Sequence, residues 1–143
     1  MNSTATEDWE ERKEFRDLAI KTAQKRFESV VKISVRNLFS EESQELLKPQ
    51  IKEVVNEALK TSLQGYIAAK EGMKTRPNRE FVLINPTFKT LQITGKEDDV
   101  ICLDLVQKES VRTQVPLVIL SNGHMSHIEN KEELVAALKE FVK

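Results

Sequence analysis

The hydrophobic period of this chain changes once, at the loop MKTRPN that spans residues 73–78. Before the loop, apolar residues recur at the three-and-four spacing of amphipathic helices. After it, short apolar runs alternate with turn residues, which is typical of strands. Because the helical and the strand-like segments are segregated along the chain, the sequence predicts an α+β domain. We expect two N-terminal helices, a mainly antiparallel sheet of four to six strands, and a C-terminal helix.

The first predicted helix begins at Trp9, with its apolar side chains on one face. Residues 30–36 fit either the end of this helix or a strand, because VKISVR also alternates apolar and polar residues. Ser40 is the predicted N-cap of a helical segment over 40–47, whose first turn holds acids that the helix dipole favours. The longest predicted helix spans 49–71 and ends at Gly72.

Four strands are predicted after the loop, and Asn122-Gly123 then gives the strongest short-range hairpin signal in the chain. The residues HMSHI would return antiparallel to the strand before them. Asn130 is the predicted N-cap of the last helix, with an acid at the capping-box position Glu133. The predicted strands cover residues 80–84, 89–94, 99–106, 113–120 and 124–128.

The two histidines of the chain lie in this return segment, three positions apart. On a strand, His124 and His127 point to opposite faces and cannot share a metal ion. If the segment is instead an irregular loop, both imidazoles and Glu129 could meet at one metal. The hairpin signal favours the first interpretation, so we expect no metal site, no catalytic residue and no cofactor.

Two further side chains could carry chemistry. Asp104 shares a predicted strand face with Lys108, as in nucleases that hold magnesium between acids on adjacent strands, but position 106 is a valine where a second acid is needed. Cys102 is flanked by apolar residues, which favours a packing role. The chain has only four glycines and no glycine-rich phosphate loop.

The formal net charge of −1 gives no global electrostatic case for binding nucleic acid or an anionic membrane. Basic residues nevertheless outnumber acids in the first helix and around the loop, and a basic row can meet phosphates. The aromatic residues Trp9, Phe15 and Phe27 are our candidate interaction surface. The candidate anion-binding residues are Lys21, Lys25, Lys32, Arg36, Lys70, Lys74, Arg76 and Arg79.

Length and composition set the broad class. At 143 residues, with 39% hydrophobic and 31% charged residues, the chain fits a single α+β domain over 9–143 preceded by a disordered tail over 1–8. No apolar run approaches the 20 or so residues that a membrane span requires, and the N-terminus has no secretory pattern. We therefore expect a cytoplasmic protein.

The absence of a convergent polar motif favours a non-catalytic protein over an enzyme. We expect a small protein-interaction or regulatory domain that binds a protein partner or associates with itself as a homo-oligomer. The alternative is a nucleic-acid-binding accessory factor or degenerate nuclease-like domain that uses the basic helix face and Asp104.

Overall fold

The computed structural model describes residues 1–143 and consists mostly of helices, with one parallel sheet of two strands. None of the helices is both long enough and apolar enough to cross a lipid bilayer. The elements in chain order are α1 (Glu10–Arg36), α2 (Glu41–Leu46), α3 (Lys48–Ala58), α4 (Leu63–Thr75), α5 (Glu80–Leu83), β1 (Gln92–Gly95), α6 (Leu103–Thr113), β2 (Leu117–Leu120), α7 (Ser126–Glu129) and α8 (Lys131–Phe141).

The first helix, α1, confirms the helical interpretation of residues 30–36. Its backbone departs from helical angles at Arg26, which kinks the helix. Beyond the kink, Val31 and Val35 join Phe39 in a buried cluster that the apolar side of α3 covers. Ile33, which alternates with these two valines in sequence, is exposed, so the helical spacing of four decides which residues pack inward.

The helices α2, α3 and α4 follow the predicted segments only in part. Ser40 caps α2 by accepting a hydrogen bond from the amide of Ser43 at 3.3 Å, as predicted. The single helix over 49–71 is wrong, because the chain leaves the helix after Ala58 and restarts at α4. Ser62 caps this new start by accepting from the amide of Gly65 at 3.0 Å, which lowers the cost of the break.

The predicted antiparallel sheet of four to six strands is wrong. The strands β1 and β2 pair in parallel, from Gln92 with Leu117 to Gly95 with Leu120. Parallel neighbours need a crossover connection, and α6 provides it. Predicted strand 99–106 runs into α6, while predicted strands 80–84 and 124–128 largely coincide with the short helices α5 and α7.

The helix α6 was mistaken for a strand because its buried face is partly polar. Val106, Glu109 and Thr113 are the buried residues of this helix, at spacings of three and four. Only Val106 is apolar, so the helical period was hidden from a reading based on hydrophobicity. The fully buried carboxylate of Glu109 accepts hydrogen bonds from the amide of Ala5, at 2.8 Å, and from the side chain of Gln92.

The final helix, α8, was predicted correctly and packs on the sheet. Leu134 of α8 forms a buried cluster with Ile93 and Leu120. The expected capping box is not formed, because Asn130 makes no side-chain cap and the carboxylate of Glu133 instead accepts from the amide of Ser121 at 3.0 Å. The acid thus fixes the end of β2 rather than the start of its own helix.

Residues 1–8, predicted as a disordered tail, lie against the sheet and α6. The amide of Asn2 donates to the carbonyl of Ile93 at 2.8 Å, and both Asn2 and Asp8 are buried. The tail looked solvent-exposed in sequence because its contacts use backbone and polar groups rather than apolar side chains.

The loop after β2 crosses the end of β1 at very short distance. A Cβ atom on Gly95 would lie 2.2 Å from the carbonyl oxygens of Asn122 and Gly123. Gly123 is closely packed as well, because a Cβ atom there would lie 2.7 Å from the amide nitrogen of Ser40. The predicted hairpin is wrong, since neither Asn122 nor Gly123 has the positive φ that such a turn requires. Gly123 is needed instead because it lets the loop pack closely against the backbone of Ser40.

We predict opposite effects of alanine at two glycines. Gly95→Ala should destabilise the fold by about 3 kcal/mol or more, because the new methyl group meets backbone that cannot move aside. Gly72→Ala should stabilise it by about 0.5–1 kcal/mol, since this position lies inside α4 and a Cβ there meets nothing within 4 Å. Urea unfolding of both variants measures the difference, and equal effects would contradict the close approach at Gly95.

Candidate active site

The two strands end at the same edge of the sheet, and each is followed by a loop that carries one side chain of the candidate site. Asp98 comes three residues after β1, and His124 comes four residues after β2. Because the strands are parallel, their carboxyl ends are neighbours, and this edge is where open α/β sheets bind ligands. The Nδ1 atom of His124 lies 2.8 Å from an Oδ2 atom of Asp98.

The carboxylate of Asp98 is held in one orientation. Its side chain is 0% exposed. Its Oδ1 atom accepts hydrogen bonds from the backbone amides of Val100 and Ile101, each at 2.8 Å. A buried carboxylate needs such partners to offset its lost hydration. With Oδ1 occupied by the backbone, Oδ2 is left for the imidazole of His124.

The loop that carries His124 is fixed by a second carboxylate, that of Glu129. It accepts hydrogen bonds from three backbone amides, those of Ser40 at 2.9 Å, Gly123 at 3.2 Å and Met125 at 2.9 Å. The amide of His124 itself donates to the carbonyl of Leu38 at 3.0 Å. The histidine is therefore positioned by contacts from both the helical region and its own loop.

This arrangement defines the role that the imidazole can take. When Nδ1–H donates to Asp98, the neutral ring presents Nε2 as a proton acceptor. Nε2 of His124 makes no hydrogen bond within the chain, and the side chain is 22% exposed. The ring lines a cavity of about 280 Å³. The pair can therefore act as a general base toward a hydroxyl or water in that cavity.

The other wall of this cavity is strongly basic. Arg12, Arg16, Lys70 and Arg76 line it around the buried carboxylate of Asp8. Burial alone would raise the pKa of Asp8, but the hydrogen bond from Arg16 and the charges of Arg16, Arg12 and Arg76 outweigh burial and hold that pKa below its ordinary value. Asp8 therefore stays ionised.

The candidate interaction surface is divided in the structure. Phe15 is 72% exposed on α1, and Trp9, at the N-cap of that helix, is 46% exposed. Phe27 is half-buried and packs edge-on against Tyr66, with the ring centroids 5.8 Å apart. Trp9 also lines the cavity that contains His124.

The candidate anion-binding residues separate into three groups. The first group is exposed on α1, where the kink at Arg26 divides it, and consists of Lys21, Lys25, Lys32 and Arg36. In the second group, Lys74 pairs with acids and Arg79 lies over the ring of Phe81. Only two of the eight line the cavity, and they are Lys70 and Arg76.

The remaining sequence candidates lie away from the Asp98–His124 pair or at its margin. His127 is exposed on the helix α7. The predicted return strand, which would have placed the two imidazoles on opposite faces, is therefore absent. Asp104 is exposed on α6 and pairs with Lys108 at 2.6 Å, which explains its charge without a catalytic role. Cys102, expected to pack in the core, is exposed at the N-cap of α6 and lines the cavity. No three His, Cys, Asp or Glu side chains converge as a metal site requires.

Sequence reasoning missed Asp98. It stands in the polar stretch GKEDD, which we treated only as a break between two strands. The usable signal was positional: within four residues of two short apolar runs stand three acids, Glu97, Asp98 and Asp99, and then a histidine, His124. Recognising α6 as a crossover helix would have brought Asp98 and His124 to one sheet edge.

Solved structures provide the comparison that identifies the fold. The chain matches an esterase from Thermogutta terrifontis, solved with malate bound, at a TM-score of 0.85 and 22% identity, covering 99% of this chain and 53% of the esterase. It matches the enol-lactonase from Burkholderia xenovorans at 0.83 and 17% identity, covering 99% and 54%. An α/β hydrolase from a Medee basin deep-sea metagenome library matches at 0.80 and 19% identity, covering 99% and 54%.

The chain shares the fold of these structures, one of which is described as an α/β hydrolase. The chain spans about half the length of these solved structures. No family profile and no curated protein matches the chain. The shared fold overturns our expectation of a non-catalytic interaction or regulatory domain, and also its alternative of a nucleic-acid-binding or nuclease-like domain.

We predict that Glu129 controls the loop that carries His124. Glu129→Ala should destabilise the fold by about 3 kcal/mol, because it leaves the amides of Ser40, Gly123 and Met125 without their acceptor. Glu53→Ala removes an exposed acid from α3 and should cost about 0.5 kcal/mol or less. Amide hydrogen exchange of the three donors should accelerate only in the first variant. Unchanged exchange would contradict the role of Glu129.

The low pKa of Asp8 predicts a pH dependence of stability. Because the pKa in the folded state lies below the ordinary value of 3.8, the ionised group stabilises the fold above that pH, and its contribution is lost as the pH falls through the folded-state pKa. Asp8→Asn should therefore cost about 3 kcal/mol near pH 7 and progressively less toward about pH 2. Urea unfolding at several pH values measures this convergence.

Asp17→Asn is the matched control for Asp8→Asn. Asp17 pairs with Lys74 at 2.6 Å, but its side chain is 47% exposed, so the loss should stay below about 1 kcal/mol. If both variants lost stability equally, the buried charges around Asp8 would not be the cause of the pH dependence.

Proposed function

We propose that Asp98 and His124 belong to an ester-hydrolysing centre, in which His124 is the general base and the carboxylate of Asp98 orients it. The observation that carries this proposal is the 2.8 Å contact between Nδ1 of His124 and the buried carboxylate of Asp98, at the carboxyl edge of two parallel strands. In such a pair the carboxylate orients the imidazole and stabilises the imidazolium that forms when it takes a proton.

The order of the two residues along the chain supports this assignment. In α/β-hydrolases the nucleophile comes first, the acid second and the histidine last. Asp98 follows β1 and His124 follows β2, so the acid precedes the histidine here as well. The solved structures that share the fold include an esterase and an enol-lactonase, and both reactions break an ester bond.

The nucleophile of the proposed centre requires a hydroxyl near Nε2 of His124. The 143 residues contain no G-x-S-x-G sequence, the strand-to-helix turn that carries the serine in α/β-hydrolases. We propose that a serine outside these residues completes the centre, on the half of the fold that the matched structures have in addition. This chain supplies the acid, the base and the cavity beside them.

A location and a partner also belong to the proposal. We propose that the protein works in the cytoplasm, with which a single exposed thiol at Cys102 is compatible. The partner that we propose is a protein segment that carries the nucleophile, since the Asp98–His124 pair needs one for acyl transfer.

The test uses an activated ester, 4-nitrophenyl acetate, which an oriented imidazole can hydrolyse without a serine. We expect the purified chain to release 4-nitrophenol faster than buffer does. His124→Ala should remove this excess rate, and Asp98→Asn should lower it by about tenfold or more, because the imidazole loses its oriented tautomer.

The second histidine provides the matched control. His127 is exposed on α7 and makes no contact with the Asp98–His124 pair, so His127→Ala should leave the excess rate unchanged. Equal rates for the wild-type chain and the His124→Ala variant would sink the proposal. Equal losses in the two alanine variants would do the same, because any surface imidazole would then suffice.

A further inference from the structure

The cavity beside His124 has more positive charge than its acids neutralise. Four cationic side chains line it, those of Arg12, Arg16, Lys70 and Arg76. The acids that line it are Glu7, which is exposed, and Asp8, which is buried. Buried charges need a partner of opposite sign, so an excess of cations in a closed space favours a bound anion.

Asp8 is the buried acid that the arginines of the cavity surround. Nε of Arg16 donates to its Oδ2 atom, and Nε of Arg12 lies 3.5 Å from its Oδ1 atom. Arg76 approaches the same Oδ1 atom at 4.0 Å. One carboxylate therefore faces three guanidinium groups.

Lys70 is the cation without a counter-ion. No acid lies within 4.0 Å of its ammonium group, which instead stands 5.2 Å from the centre of the Tyr66 ring. Burial lowers the pKa of Lys70, and the nearby charges of Arg16 and Arg12 lower it further. An anion placed against this ammonium would replace both its lost hydration and its missing partner.

Arg76 adds a second unsatisfied donor. Its two terminal nitrogens donate to the carbonyls of Thr4 and Thr6, at 3.2 Å and 2.8 Å. Its Nε atom is buried and has no hydrogen-bond partner. A buried donor of this kind costs free energy until an acceptor is bound.

We propose that the cavity binds a carboxylate group of the substrate against Lys70 and its neighbouring arginines, so that the ester hydrolysed at His124 is one that also bears a free carboxylate. His124 and Lys70 line the same cavity of about 280 Å³, which has room for one small acyl chain between them. The statement that the bound carboxylate belongs to a substrate rests on the proposed function. The statement that the cavity binds a carboxylate does not depend on it.

The binding experiment uses Trp9, the only tryptophan of the chain, which lines the cavity. The purified chain is titrated with glutarate, and separately with its neutral dimethyl ester, while tryptophan fluorescence is recorded. We expect saturable quenching with glutarate alone, weakened by added salt because the attraction is between charges. Equal responses to the two compounds would overturn the inference.

The matched variants remove one positive charge each. Lys70→Gln should weaken glutarate binding about tenfold, the usual effect of losing one charge-assisted contact. Lys52→Gln removes an exposed lysine of α3 that does not line this cavity, and should leave the affinity unchanged. Equal weakening in both variants would mean that glutarate responds to overall charge and would overturn the inference.

A hydrolysis experiment then separates this inference from the proposed function. Mono-4-nitrophenyl glutarate is compared with 4-nitrophenyl butyrate, its neutral counterpart. Lys70→Gln should slow hydrolysis of the glutarate ester only. If both esters are hydrolysed in a His124-dependent way and Lys70→Gln affects them equally, the proposed function stands and the carboxylate site fails. If glutarate binds through Lys70 but no ester is hydrolysed, the carboxylate site stands and the ester chemistry fails.

Discussion

The parallel pairing of β1 with β2 is the constraint from which the rest of the site follows. Parallel neighbours must be joined by a crossover, so the residues between them form α6 and both strands point the same way. Their carboxyl ends then share one edge, and the residues just beyond them, Asp98 and His124, meet there. An antiparallel pair would have placed these two side chains at opposite ends of the sheet.

Hydrogen bonds tie the helical region to this edge, beside the packing of Met125 and Ile128 against the Phe39 cluster. The carboxylate of Glu129 binds the amide of Ser40 at the start of α2 and the amides of Gly123 and Met125 in the histidine loop. Gly95 and Gly123 allow the backbone to pass at distances that a side chain would prevent. The His124 loop therefore cannot shift without breaking hydrogen bonds in three segments that are far apart in sequence.

These polar contacts also explain how much the sequence could reveal. Ser40 as a cap and the final helix α8 follow from local rules of capping and hydrophobic period, and both were predicted, whereas residues 30–36 fitted a strand as well as the end of α1. The helix α6 escaped because Glu109 and Thr113 occupy its buried face. Once α6 was taken for a strand, the sheet appeared antiparallel, and the Asp98–His124 pair could not be predicted from either residue alone.

The elements that supply the proposed chemistry differ from those that supply the charge. Asp98 and His124 follow strands, whereas Arg12 and Arg16 lie on α1 and Lys70 lies on α4. The cavity is where the two sets face each other, so substitutions on α1 and α4 can change the charge of the cavity while the geometry of the Asp98–His124 contact is preserved. The two sets are held separately in this fold, because Asp8 holds the arginines of the cavity, whereas Asp98 and Glu129 hold His124 and its loop.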